Sequence, residues 1–78
     1  MFNTLDKMQV GDRCIVKKID NEGTIKRRLL DIGLIPGTIV ECLLRSPSGD
    51  PYAYDIRGTV IAIRTDDAKD ILVEAYNG

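Results

Sequence analysis

The chain has 78 residues, 44% of them hydrophobic and 29% charged, with a net charge of −1. That length fits one small domain, residues 1–78, with a marginal core. The near-neutral balance gives no overall attraction to nucleic acid or anionic lipid, and the absence of histidine removes the commonest general base near neutral pH.

In chain order, Arg13 to Ile19 reads as a first strand with Cys14 and Val16 on one face. Asp20-Asn21-Glu22-Gly23 is a polar turn into a helix near residues 24–32, with Asn21 or Thr24 as the expected N-cap. Ile25, Leu29 and Ile32 recur at i, i+4 and i+7, an apolar stripe predicted to lie on the core. Arg27 and Asp31 occupy the opposite face. Leu30 lies off the stripe and Arg28 borders it.

Gly33 stands where a helix closes on a left-handed residue, and Ile35-Pro36-Gly37-Thr38 has proline and glycine at the central positions of a type II turn. Gly33, Pro36 and Gly37 are therefore read as architectural. Thr38 to Arg45 is a long strand, ended by Pro47, Gly49 and Pro51. Tyr52 to Arg57 and Thr59 to Thr65 are strands on either side of Gly58. Asp66 to Asp70 gives one helical turn with acids at its start, and Ile71 to Tyr76 is the last strand, with Leu72 facing outward between Ile71 and Val73.

About five strands, one inserted helix and a short helical turn before the last strand make a mostly β chain that solves its edge problem by closing into a small barrel.

Few chemistries suit this inventory. The seven glycines form no phosphate-binding loop, and a cysteine nucleophile would need a nearby base or cation and some exposure. No enzyme is expected. Zinc-type clusters are missing from the spacing. Asp66, Asp67 and Asp70 are hard oxygen ligands in principle but read as capping residues, so neither a metal site nor a cofactor is assigned.

Tyr52 and Tyr54 share a strand face and keep a base-stacking barrel open as an alternative. No apolar run reaches membrane-spanning length and no signal segment opens the chain, so a cytoplasmic location is expected. Cys14 and Cys42 fit buried thiols on alternating strand positions. The sequence leaves a disulfide between them open, which a cytosolic setting disfavours.

The run R-L-L-D-I-G-L-I-P-G-T from Arg28 to Thr38 resembles the central motif of the FeoA family, small proteins of bacterial ferrous-iron uptake. The likeness extends to Leu5–Val10 followed by Gly11-Asp12, to Pro47-Ser48-Gly49-Asp50-Pro51, to Gly58–Arg64 with Ile63 where leucine is commoner, and to the tail from Asp66 through Val73. The resemblance implies an SH3-like barrel and a binding module that contacts FeoB, a membrane ferrous-iron transporter with a cytosolic GTP-binding domain. It adds, as an alternative, a regulatory module akin to the SH3-like domains of metal-dependent repressors. The residues that the fold does not require, and that are left for partner contact, are Arg27, Arg28, Leu30 and Leu72.

Overall fold

The structure, a computed structural model, describes residues 2–77. Strand β1 (Phe2–Thr4) runs into a single 3-10 turn at Leu5–Lys7. There follow β2 (Arg13–Ile19), helix α1 (Gly23–Asp31), β3 (Ile39–Arg45), β4 (Tyr52–Ile56), β5 (Thr59–Ile63), the one-turn helix α2 (Thr65–Ala68) and β6 (Ile71–Ala75). The strands form one antiparallel sheet in the order β1-β6-β2-β3-β4-β5.

The architecture is the SH3-like one, with two departures from expectation. The described residues form six strands, because Phe2–Thr4 pairs with β6 in the register Thr4 to Leu72. Three residues are too few to show an alternation in sequence. The sheet also stays open. β5 and β1 form its two edges and do not pair, so the barrel is not closed by hydrogen bonds. Register shifts between Val16 and Lys18 and between Cys42 and Leu44 insert irregularities of the kind that bend a sheet around its core.

That core draws on nearly every element: Val16, Val40, Ile56, Ile71 and Val73 from the strands, Leu5 from the 3-10 turn, Ala68 from α2. Cys14 and Cys42 are both free and both buried.

Of the helical stripe, only Leu29 is buried. Ile25 and Ile32 remain 40% and 37% exposed. Strand side chains already fill the interior, so α1 is seated by Leu29 and by Leu34 just beyond its end. The helix end is a Schellman motif: the Gly33 N–H donates to Leu30 O at 3.0 Å and the Leu34 N–H to Leu29 O at 3.0 Å. The same two leucines supply its hydrophobic contact, and Gly33 carries the required positive φ of 96°. The predicted turn follows, with Thr38 N donating to Ile35 O at 3.0 Å and Gly37 at φ 95°. Thr38 Oγ1 donates back to Gly33 O at 2.9 Å, locking turn to helix end.

The helix start differs from expectation. Its N-cap is Glu22, whose side chain makes no capping bond, and Thr24 lies within the helix. Asn21 is buried instead, and its Nδ2 donates to Asp67 O at 2.9 Å, so its amide fastens the β2–α1 loop to α2. α2 begins at Thr65, one residue before the expected turn.

Candidate docking surface

Sequence selected Arg27, Arg28, Leu30 and Leu72, and the structure divides them. The first three are carried by α1 and are exposed. None of Lys26, Arg27 and Arg28 has an ion pair among the described residues, where the pairs are Lys17–Glu74 at 3.8 Å and Lys18–Asp20 at 3.3 Å.

Leu72 does alternate outward between the fully buried Ile71 and Val73, but it is half-buried on β6 beside Thr4 and Lys18. Strands β2, β3 and β4 separate β6 from β5, so the strand register does not join Leu72 to Ala62 in one patch.

The concave feature on this side of the molecule was missed as a site. Ile25 and Leu29 of α1, Ile32 just past its end, and Ile61, Ala62 and Ile63 of β5 line an apolar groove of about 110 Å³, with Arg28 and Asp67 at its walls. Sequence periodicity marked Ile25 and Ile32 as apolar and assigned them to the core. The structure leaves them between helix and sheet edge, where they can meet something else. The available signal was the uncharged run Thr59-Val60-Ile61-Ala62-Ile63, too apolar for an ordinary edge strand.

The β4–β5 hairpin has Arg57 (φ 55°) and Gly58 (φ 86°) at its tip, both left-handed as a type I′ turn demands, and Asp55 Oδ1 accepts from the Gly58 N–H at 3.0 Å. Arg57 also reaches back, its Cδ only 2.8 Å from where a Cβ on Gly33 would stand. At the other end of β5, the Pro47–Pro51 loop caps α2. Asp50 Oδ1 accepts from Thr65 N at 2.8 Å and from Thr65 Oγ1 at 2.9 Å. Those two bonds, the backbone one foremost, hold the Asp50 carboxyl below the usual carboxylate pKa.

Reactive chemistry has little footing. Burial, followed by the neighbouring Cys42 and Asp12, pushes the Cys14 thiol up to about 12, and burial raises Cys42 as well, so both stay protonated near neutrality. Among the described residues no three Cys, Asp or Glu side chains converge as a metal site would need. Tyr54 is 1% exposed, its phenol pushed upward by burial, and stacks on Tyr52 at 6.4 Å between ring centroids. Tyr52 in turn lies under the Arg45 guanidinium at 5.9 Å, so the pair is no free platform for bases. No helix of the structure is long and apolar enough to cross a membrane.

The surface therefore offers shape, apolar area and arginines without ion pairs among the described residues, a set suited to holding another macromolecule. The same fold recurs in known proteins. A curated relative from Porphyromonas gingivalis, a fusion of Fe(2+) transport protein A with the Fe(2+) transporter FeoB, is 30% identical over 73 residues, covering 90% of this chain. The match spans only 8% of that relative's length. The solution structure of FeoA from Chlorobium tepidum superposes with a TM-score of 0.90 at 32% identity, covering 96% of this chain and 71% of that one. Zinc-complexed FeoA from Stenotrophomonas maltophilia, described as an SH3 domain protein, gives a TM-score of 0.82 at 25% identity over 91% of this chain and 88% of that one. The FeoA domain model matches residues 3–75. Nearly the whole chain is thus accounted for, and it belongs to the FeoA domain family.

Proposed function

We propose that this chain is a cytosolic accessory protein of ferrous-iron uptake that docks, without catalysis and without entering the bilayer, on the cytosolic GTP-binding region of a FeoB-type transporter. Family membership supports the role in ferrous-iron transport. The fused relative supports the partner, since one polypeptide joining the two functions holds them at high effective concentration.

The observation that carries the reading is the α1 surface: Arg27, Arg28 and Leu30 are exposed, the arginines lack ion pairs among the described residues, and Arg28 stands at the wall of the apolar groove, with Arg27 and Leu30 on the helix surface outside it. Arginine is among the residues that hot spots favour, and here one of the two borders apolar surface. Leu72, on the outer face of β6, is a second and separate candidate.

Co-purification with the transporter's cytosolic region tests the reading. Arg27→Ala/Leu30→Ala and Leu72→Asp should fold as the parent does and lose the partner. Retention by every variant would overturn the docking proposal. Iron is read as the transporter's cargo. Anaerobic calorimetry should accordingly give no ferrous-iron binding by this chain tighter than about 10 μM, roughly −7 kcal/mol. Submicromolar binding would replace docking with iron carriage.

A further inference from the structure

β5 ends the sheet with its backbone half-used. In a two-residue hairpin the residues flanking the turn, here Ile56 and Thr59, exchange hydrogen bonds, and bonded pairs then alternate along the ladder. Thr59, Ile61 and Ile63 therefore spend their N–H and C=O groups on β4. Val60 and Ala62 turn theirs toward the open edge, and no other backbone or side-chain group among the described residues meets them. Both residues are exposed, Val60 by 64%.

Proteins ordinarily blunt such an edge with charge, proline or a bulge. Here the strand has no charge and no proline, and its register with β4 is unbroken. The other edge, β1, is only three residues long. Beside the β5 edge, Ile25 and Leu29 of α1 and Ile32 just past its end complete the apolar groove, so a strand laid along β5 would find its alternate side chains facing a hydrophobic wall.

We propose that β5 is a strand-addition site, taking an extended segment of a partner protein whose backbone pairs with Val60 and Ala62 and whose alternate apolar side chains fill the α1–β5 groove. The proposal rests on the docking reading above and specifies its mode.

The occupant is a free segment rather than a second copy of this chain. A twin β5 would arrive with Ile63 already buried and Ile61 already packed in its own core, leaving nothing to fill the groove. The segment must therefore carry its own apolar residues two apart and lack proline where it pairs. A carboxylate at the Arg28 wall of the groove, away from Asp67 on the same groove, completes the match, since Arg28 has no ion pair among the described residues.

The test uses the intact ¹⁵N-labelled chain and a synthetic heptapeptide, acetyl-Glu-Val-Thr-Val-Thr-Val-Glu-amide, whose end carboxylates serve either strand direction. At about 1 mM peptide, amide exchange at Val60 and Ala62 should slow by about ten-fold or more, while Ile61 and Ile63, protected beforehand, stay as they are. Val60→Pro removes an N–H that makes no ladder bond, so it should keep the fold and lose the peptide; Val60→Thr should keep both.

No binding at that concentration, or spectral change without protection of Val60 and Ala62, overturns the proposal even if Val60→Pro does not fold. The transporter reading is judged apart. If Val60→Pro still co-purifies with the transporter while Arg27→Ala/Leu30→Ala does not, strand addition fails and docking stands. If the peptide protects Val60 and Ala62 but no transporter co-purifies, strand addition stands and the transporter reading fails.

Discussion

Gly33→Val strikes the point where helix, turn and hairpin meet. Gly33 sits at φ 96°, and a β-branched residue in the left-handed region costs about 1–2 kcal/mol on backbone sterics alone. The new Cβ would also stand 2.8 Å from Arg57 Cδ. That neighbour is an exposed, flexible side chain, so it can move aside at the loss of its packing on the helix end.

If the backbone instead relaxes out of the left-handed region, the Gly33-to-Leu30 and Leu34-to-Leu29 bonds of the helix end are lost, at about 1 kcal/mol each. Either route leads to a destabilisation of about 2 kcal/mol, which in a domain this size lowers Tm by about 8–16 °C. Urea and thermal denaturation followed by far-UV circular dichroism would measure it. Arg57→Ala in the same background separates the two causes. Strain predicts that little of the loss returns, whereas a dominant clash predicts that most of it does. A Gly33→Val protein within about 0.5 kcal/mol of the parent would refute the assignment of left-handed strain.

Three further outcomes follow from the geometry. Arg57, a non-glycine residue at φ 55°, should gain stability when replaced by asparagine, by about 0.5–1 kcal/mol in chemical denaturation, and a loss would show that its packing on Gly33 outweighs the turn. Leu29→Ala should cost about 2–4 kcal/mol while Ile25→Ser costs under about 1 kcal/mol; equal losses would return Ile25 to the core. Asp50, whose folded pKa is lowered by its bonds to Thr65, contributes stability that is present above the ordinary carboxylate pKa near 4 and lost as pH falls through the lower folded value. The acid limb of the urea midpoint against pH should therefore flatten in Asp50→Asn, and an unchanged limb would remove Asp50 from the α2 cap.

What sequence could deliver here was local. The helix stop at Gly33, the Pro36-Gly37 turn and the strand from Arg13 to Ile19 each rest on signals a few residues apart, and each is found. Periodicity names an apolar face without naming what covers it. Ile25 and Ile32 were therefore legible as apolar and illegible as groove. The same limit applies to Asn21 and Asp50, whose partners lie 46 and 15 residues away. An N-cap preference is a statement about the next turn of chain, and in Asn21 a long-range bond to Asp67 has displaced it. Of the candidate residues, helical spacing made Arg27 and Leu30 legible as lying off the apolar stripe and Arg28 as bordering it; the separation of Leu72 from them depends on strand order, which no local pattern encodes.

That strand order also sets a sequence of events. β6, the latest strand along the chain, is an interior member of the sheet, seated between β1 and β2. Its pairing of Ile71 with Ile19 closes a loop of about fifty residues, whereas Ile56 meets Thr59 across a two-residue turn. The longer closure costs about 2.5 kcal/mol more chain entropy. The β4–β5 hairpin can thus form early and locally, and β6 enters only once β2 is in place to receive it. Among the described residues, removing β6 would strip β1 of its one partner in the sheet and β2 of one of its two, so a shortened chain would lose cooperativity rather than a strand. The folding barrier should then be governed by the arrival of Ile71 and Val73, the two fully buried residues that the closing strand brings to the core.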